Sequence, residues 1–257
     1  MDLSAAQMAL LCGAAFCAGT VDAIAGGGGL ITVPALLWAG LPPHAALGTN
    51  KGQSVFGSFA ATLRYRHAGL LDGATTRVAF PLGFLGSAAG AVLALWIRPD
   101  VLRPIVLALL VLVAAVIASG RLRPREGMAT TEGHAWTVAA IALTLGAYDG
   151  FFGPGAGTFM LAAYVGLAHR PLRHAAANGR VLNFATNLAA MLMFAREGAV
   201  LWAVALPMAG FQLLGGFLGA HLAVRRGERL IRGVVFLVVI GVVVWLLNDV
   251  RTHPVSR

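Results

Sequence analysis

The chain has 257 residues, of which 58% are hydrophobic and 11% charged, against about 25% charged in a typical soluble domain. A protein core cannot hide that much apolar surface, so a soluble fold is excluded and lipid must cover the rest. The 19 Lys and Arg outnumber the 10 Asp and Glu, but they lie in short loops between apolar stretches, which is typical of membrane topology and not of a nucleic-acid-binding face.

The first apolar stretch, residues 3–25, lacks the basic start of a secretory signal peptide and runs past a signal core, so we expect it to be retained. Cys12 and Cys17 lie on different faces of this predicted helix, which argues against a disulfide. The sequence contains no metal-ligand spacing. We therefore predict neither a metal site nor a cofactor.

Further apolar stretches follow along the chain, each near the roughly 20 residues that a spanning helix needs. They lie at 45–65, 77–97, 102–120, 134–152, 173–195, 200–224 and 229–248. Two apolar pieces, 30–40 and 157–168, are too short to span, and each follows a glycine-rich stretch. The sequence predicts an all-α polytopic membrane protein with about eight transmembrane helices and two short broken or re-entrant segments.

Strongly basic loops alternate with weakly charged ones. The basic loops lie at 64–77, 121–125, 169–173 and 225–232, and the weak ones near 98–100 and 196–197. If the basic loops are cytoplasmic, the alternation holds throughout and both termini fall outside the cytoplasm.

The two halves of the chain resemble each other, at an offset of 127 positions up to the first glycine-rich stretch and of 129 after it. The matches include Gly19 with Gly146, Asp22 with Asp149, Gly26 with Gly153, Gly28 with Gly155, Lys51 with Arg180, Gly86 with Gly215, and Gly90 with Gly219. Each half holds five segments, an odd number, so the second half enters the membrane from the opposite side. We predict two inverted repeats, 1–126 and 127–257, the arrangement with which secondary transporters alternate access; a duplicated packing scaffold is the alternative.

Four ionisable residues fall within or beside apolar segments: Asp22, Lys51, Asp149 and Arg180. A charge at a helix centre costs roughly 2.5–3.5 kcal/mol on insertion scales, so each calls for a reason. The repeat relates Lys51, the only lysine of the chain, to Arg180. We expect the two cations to face a shared, positive cavity that binds an anion. Alternatively, they pair with the two aspartates and hold the halves together.

Polar residues surround these cations, and glycine-rich stretches precede them. An interrupted helix offers free backbone N–H groups and a positive dipole end where it restarts, which favours anion binding. Asp22 and Asp149 come four residues before the stretches; they either couple transport to a proton or another ion, or cap the freed donors. The GxxxG pairs Gly86–Gly90 and Gly215–Gly219 indicate helix packing. The predicted anion site comprises Gly26, Gly27, Gly28, Gly29, Asn50, Lys51, Gln53, Gly153, Gly155, Gly157, Arg180, Asn183 and Asn187.

Enzymatic motifs do not occur in this sequence: it has no phosphate-binding loop and no HExxH. The glycines at 26–29 are not a dinucleotide fingerprint, because no soluble strand–helix unit surrounds them. We predict that the chain is not an enzyme.

Five motifs resemble those of the sulfite exporter TauE/SafE family: GGGGLITVP at 26–34, GLPPH at 40–44, LGTNK at 47–51, YDGFFGPG at 148–155 and VLNFATN at 181–187. The resemblance implies a bacterial inner-membrane permease that moves sulfite, sulfonates or related organosulfur anions, coupled to an ion gradient. Family members often have Thr-Lys where this chain has Gly179-Arg180. That departure keeps the charge but replaces a point charge by a planar fork.

The sequence as a whole predicts an alternating-access transporter whose partners are a small sulfur-containing anion, the lipid bilayer and a proton or other coupling ion. Two alternatives remain open from the residues. One is an anion channel, which conducts without a coupling ion; the other is a membrane scaffold subunit in which the four charges only pair.

Overall fold

The computed structural model describes residues 3–118, 135–227 and 230. Throughout this part of the chain the regular structure is helical, without strands, as the sequence predicts. The helices are α1 (Ala5–Ala25), α2 (Gly29–Trp38), α3 (Pro43–His67), α4 (Gly73–Trp96), α5 (Pro99–Ala118), α6 (Ala135–Phe151), α7 (Ala156–Gly166), α8 (Leu172–Arg196) and α9 (Trp202–Arg226). The predicted segment at 229–248, the basic loop at 121–125 and the boundary between the predicted repeats lie outside the described residues.

The helices differ in whether their length and apolar character allow them to cross a membrane. Three of those described, α1, α4 and α9, are both long and apolar enough to span a bilayer. Helices α3 and α8 have 25 residues each but carry many polar side chains. Helices α2 and α7 have only 10 and 11 residues, hence a length of about 15–17 Å, against a hydrocarbon core of about 30 Å. The two predicted short segments are therefore confirmed.

Local sequence explains where several helices begin. Helix α1 starts with a capping box, in which the Ser4 hydroxyl accepts from the Gln7 N–H while the Gln7 side chain accepts from the Ser4 N–H. Helix α3 begins at Pro43, whose missing N–H needs no partner in the first turn. Helix α4 is capped by Asp72, whose side chain accepts from the Ala74 N–H.

The most extensive helix–helix packing joins the first half of the chain to the second. Helix α1 packs along α9, and α4 packs along α6. A Cβ added to Gly90 of α4 would lie 2.0 Å from the Ala147 carbonyl oxygen, and one on Gly219 of α9 would lie 2.3 Å from that of Thr20. These helices approach that closely because both positions are glycine, which confirms the predicted packing role. Ala147 and Thr20 are themselves separated by 127 positions, the first offset of the repeat.

The two polar helices are the inner members of this bundle. Helix α3 packs against α9 and α8, while α8 packs against α4 and α3. Both carry long runs of buried residues. The outer surface is apolar instead, with Leu85 60% exposed and Trp96 80% exposed. Such a surface requires contact with lipid rather than water.

Loops that the sequence predicts on one side of the membrane meet in the structure. Asp72 in the α3–α4 loop lies 2.8 Å from Arg170 Nη2 in the α7–α8 loop, and the Asn178 side chain accepts from the Asp72 N–H at 3.1 Å. Burial acts to raise the pKa of Asp72, but hydrogen bonds from Thr75 and Ala74 and the charge of Arg170 outweigh it, so this pKa is lower than the ordinary 3.8. The α3–α4 loop of the first half is thus bonded to the α7–α8 region of the second half.

Candidate functional site

Both predicted helix breaks are present. Helix α1 ends at Ala25, and Gly26 and Gly27 follow with φ of +80° and +97°. Helix α6 ends at Phe151, and Gly153 and Gly155 have φ of +96° and +80°. Such values favour glycine, because other residues rarely adopt them. The unwound stretches are shorter than the sequence suggests, since Gly29 is already the first residue of α2 and Gly157 lies in α7.

The two breaks touch each other through their backbones. A Cβ on Gly26 would lie 2.1 Å from the Gly157 carbonyl carbon and 2.2 Å from the Thr158 nitrogen. A Cβ on Gly29 would lie 3.1 Å from the Pro154 Cα. The two breaks therefore pack directly against each other, and a side chain at Gly26 would force them apart.

The four charges within the apolar segments form two ion pairs. Lys51 Nζ donates to Asp149 Oδ1 at 2.7 Å, and Arg180 Nη1 donates to Asp22 Oδ2 at 2.6 Å. Each pair joins one half of the chain to the other, and the repeat offsets convert one pair into the other. The pairing alternative is therefore confirmed as geometry. The expected net positive cavity is wrong, because an unpaired buried cation costs far more than a paired one and each cation here has its own carboxylate.

The two carboxylates differ in their remaining partners. Asp22 Oδ1 accepts from the backbone N–H of Gly28 at 3.2 Å, so the predicted capping of a freed donor is confirmed for Asp22. Asp149 Oδ2 instead accepts from the side chains of Thr186 and, at 3.5 Å, Asn183. The Arg180–Asp22 pair thus stabilises the break between α1 and α2, whereas the Lys51–Asp149 pair is held by side chains.

A further set of polar side chains extends this network along α3 and α8. Lys51 Nζ also donates to Asn187 Oδ1 at 3.2 Å. Asn50 Oδ1 accepts from Thr32 at 2.5 Å and from Gln53 at 3.2 Å. Two of the predicted polar residues, Asn50 and Gln53, therefore hydrogen-bond to each other.

A small polar cavity, with a volume of about 20 Å³, lies at the meeting point of the breaks and the ion pairs. A water molecule needs about 10–15 Å³ by this kind of measure, so the space matches one or two waters and must widen before it holds a sulfur oxyanion. Among the predicted site residues, Gly26, Gly28, Gln53 and Arg180 do not line it. The lining residues are Asp22, Gly27, Gly29, Asn50, Lys51, Ser54, Asp149, Gly153, Gly155, Gly157, Asn183, Asn187 and Gln212.

Unused hydrogen-bonding groups lie on the wall of this cavity. Within the described part of the chain, Asn183 Oδ1 and Gln212 Oε1 are buried without a partner. Five glycines of the two breaks also line the cavity, namely Gly27, Gly29, Gly153, Gly155 and Gly157, and the first N–H groups of a helix have no acceptor within that helix. Buried polar groups are normally paired, so the wall is suited to a ligand or water that accepts several hydrogen bonds and donates at least one.

The predicted site does not include Thr186, which hydrogen-bonds to Asp149, or Ser54 and Gln212, which line the cavity. Thr186 lies three residues after Asn183, which places both on one helix face, so the spacing could have revealed it. Gln212 is an amide within an otherwise apolar stretch of α9, which is itself a signal. Ser54 follows Gln53 directly and had no distinguishing feature.

The fold and the cavity by themselves indicate a class of protein. A multi-pass helical protein with broken helices that meet at a polar, charged cavity has the architecture of a membrane transporter. The described residues bring together no group of three or more His, Cys, Asp or Glu that could hold a metal ion.

Comparison with known proteins agrees with this class. The family model of Sulfite exporter TauE/SafE matches residues 11–246, and the chain belongs to that family. It is 40% identical to Probable membrane transporter protein ORF9 of Sinorhizobium sp, over 98% of this chain and 97% of the relative. It is 36% identical to Probable membrane transporter protein YfcA of Escherichia coli K12, over 87% and 83%, and 38% identical to a Probable membrane transporter protein of Haemophilus influenzae, over 92% and 93%. No solved structure matches it significantly.

The chain is therefore a multi-pass membrane transporter. The family and its named members are transporters rather than enzymes.

Proposed function

We propose that the chain is a secondary transporter of small sulfur-containing anions, such as sulfite, sulfonates or organosulfur carboxylates, and that it works by alternating access in the bacterial inner membrane. One observation carries the proposal: Lys51 and five glycines of the two helix breaks line one small polar cavity, and Arg180 lies directly behind one of them, Gly157. The family description, which names sulfite export, favours sulfur oxyanions among the anions that such a wall could hold.

The proposed binding mode follows from the donors. Lys51 supplies a point charge at the cavity, while the guanidinium of Arg180 lies behind Gly157, with Nη2 2.5 Å from the place of a Cβ on that glycine. The N–H groups at the starts of α2 and α7 point their helix dipoles toward bound negative charge. Asn183 and Asn187 add amide donors. A tetrahedral or pyramidal oxyanion has several acceptor oxygens, so such a convergent set suits it.

We further propose the inverted-repeat architecture with about eight spans, repeats at 1–126 and 127–257, and both termini outside the cytoplasm. The contacts across the halves support it, because they recur at the repeat offsets. Ser87 donates to the Thr186 carbonyl oxygen at 2.7 Å, and a Cβ on Gly216 would lie 2.3 Å from the Gly57 carbonyl oxygen. The second contact is the first one shifted by 129 positions. Basic loops expected on the same side also meet, as Arg173 donates to the Val224 carbonyl oxygen at 2.7 Å.

Transport requires that the cavity widen alternately toward each side. The two breaks press against each other, so separating them both enlarges the cavity and frees the cations from their carboxylates. An entering anion then competes with Asp22 and Asp149 for those cations. This competition makes the two carboxylates the natural place for a coupling proton or other ion.

Flux measurements test the proposal. The purified protein is reconstituted in liposomes, and uptake of sulfite, thiosulfate, sulfoacetate and simple carboxylates is measured with and without a proton gradient, alongside the thermal stabilisation that each anion gives in detergent. We expect at least one sulfur anion to stabilise the protein and to accumulate against its gradient. Passive equilibration without accumulation would favour an anion channel. No binding and no flux, with lower stability for Lys51→Ala and Arg180→Ala, would favour a scaffold.

A further inference from the structure

The two ion pairs at the cavity are related by the repeat but are chemically unequal. Lys51 and Asp149 have side chains that are each 2% exposed, whereas Arg180 and Asp22 are 3% and 16% exposed. Arginine stays charged under all conditions in proteins, while a buried lysine exchanges its charge and partners far more readily. The pair built on Lys51 is thus the more completely buried of the two, and its cation is the one that can exchange its partner for an anion.

The partners of the carboxylates reinforce this difference. Asp22 is tied to Arg180 and to the Gly28 N–H, so neutralising it would release the α1–α2 break. Asp149 is held by side chains, and beside it lies Asn183 Oδ1, a buried oxygen without a donor in the described structure. Asn183 Nδ2 now faces Asp149 Oδ2 at 3.5 Å, so a protonated Asp149 could donate to Asn183 Oδ1 once the amide has turned over. The site therefore already contains an acceptor for a carboxylic acid proton.

Charge balance gives the reason for a proton. The ionisable groups near Asp149 are Lys51 of α3, which contacts it, and Asp22 of α1, which lines the same cavity and is paired with Arg180 of α8. On its own helix lies Tyr148, whose hydroxyl donates to the Pro154 carbonyl oxygen. From α4 and α7, no titratable side chain lines the cavity. The two cations and two carboxylates cancel, so a monovalent anion alone would leave one uncompensated negative charge in a low-dielectric space.

We propose that Asp149 takes up one proton from water when an anion binds Lys51, while Asp22 stays ionised, so that proton and anion travel together. In the empty form, the Lys51 ammonium is paired with the Asp149 carboxylate. In the loaded form, the same ammonium keeps its three protons and is paired with the anion, and Asp149 is a neutral acid. The cavity then has no net charge in either form. This inference rests on the proposed transport function and names its coupling ion and the residue that carries it.

Proton uptake during binding tests this assignment. The probe is ethanesulfonate, which stays ionised throughout the neutral pH range, titrated into the wild-type protein by calorimetry in buffers of different ionisation enthalpy. We expect about one proton taken up per anion, and binding that weakens about tenfold for each unit of pH above neutral, because linked equilibria are reciprocal. Infrared difference spectra should show a new carboxylic acid carbonyl band upon binding.

Matched variants locate the proton. In Asp149→Asn the amide mimics the neutral acid, so the probe should bind without proton uptake, without the infrared band and independently of pH. Asp72→Asn is the control, because Asp72 pairs with Arg170 and lies outside the cavity, so the charge balance there is unchanged and the pH dependence and the band should persist. Binding to the wild type without proton uptake, or an unchanged band in Asp149→Asn, overturns the inference while leaving the transport function intact. Failure of the wild type to bind this probe or any anion of the flux panel would overturn both. The wild-type measurement stands even if a variant does not fold.

Discussion

Replacing Lys51 by methionine should separate the structural from the transport role of the buried ion pair. The substitution leaves Asp149, which is 1% exposed, without its cation. Removing one partner of a buried pair costs about 3–5 kcal/mol, which for a chain of this size lowers the Tm by roughly 6–20 °C. The matched control is Arg98→Met, which breaks a pair whose side chains are 81% and 62% exposed and should cost about 1 kcal/mol or less.

The double variant Lys51→Met/Asp149→Asn decides what the pair is for. It removes both charges and keeps both shapes nearly unchanged, so most of the lost stability should return, as it does when buried pairs are replaced by neutral residues. Anion flux should remain absent, because the anion has lost its cation. Thermal unfolding in detergent and flux in liposomes are measured on the same preparations.

Two results would refute this reasoning. A Lys51→Met protein as stable as the wild type would mean that the pair does not hold the halves together. Normal anion flux in the double variant would mean that the pair is only structural and that anions cross without using Lys51, which would favour the channel alternative.

Four further substitutions test other parts of the structure. Gly90→Ala should destabilise by about 1–3 kcal/mol because the added Cβ meets a backbone oxygen at 2.0 Å, whereas Gly210→Ala, which meets nothing within 4 Å, should stabilise by about 0.5–1 kcal/mol; thermal unfolding measures both. Gly26→Ala combines a φ of +80° with a 2.1 Å contact, so we expect loss of anion flux together with a strain cost of about 1–3 kcal/mol. Asp72→Asn should lower the Tm at pH 7, because the native pKa of Asp72 lies below 3.8. A carboxylate with a depressed native pKa stabilises the folded state at pH values above its ordinary pKa. The difference in Tm from the wild type should therefore vanish as the pH falls through the native pKa.

Much of the fold was predictable because lipid imposes simple rules on sequence. A helix that crosses or enters a membrane reads as a continuous apolar run, and the ends of α4, α6 and α8 agree with the predicted ones to within a few residues. The breaks were predictable as well, since consecutive glycines or a Gly-Pro-Gly run cannot sustain a helix in apolar surroundings. The length of the first break was not predicted: the backbone is already helical at Gly28, with φ of −53° and ψ of −36°, and α2 begins at Gly29.

The candidate site was predictable in its membership but not in its electrostatics. Charges in apolar segments stand out by their insertion cost, so Asp22, Lys51, Asp149 and Arg180 could be found from sequence alone. Which carboxylate meets which cation depends on how α3 lies relative to α6 and α8 relative to α1, and no local pattern encodes that arrangement. For this reason the sequence left pairing open and favoured a positive cavity, and the structure instead shows two neutral pairs.

Under the proposed alternating-access mechanism, the arrangement of the pairs gives a reason why the empty transporter should not leak its driving gradient. Both pairs connect different halves, so a rocking motion that parts the halves must stretch both of them. At an effective dielectric constant of about 20, moving two unit charges from about 3 to about 6 Å apart costs about 3 kcal/mol, a factor of more than about 100 in population for each pair. An anion that takes over Lys51, with a proton that neutralises Asp149, removes that cost at one pair. Opening is then favoured when both have arrived, and neither alone can substitute for the other.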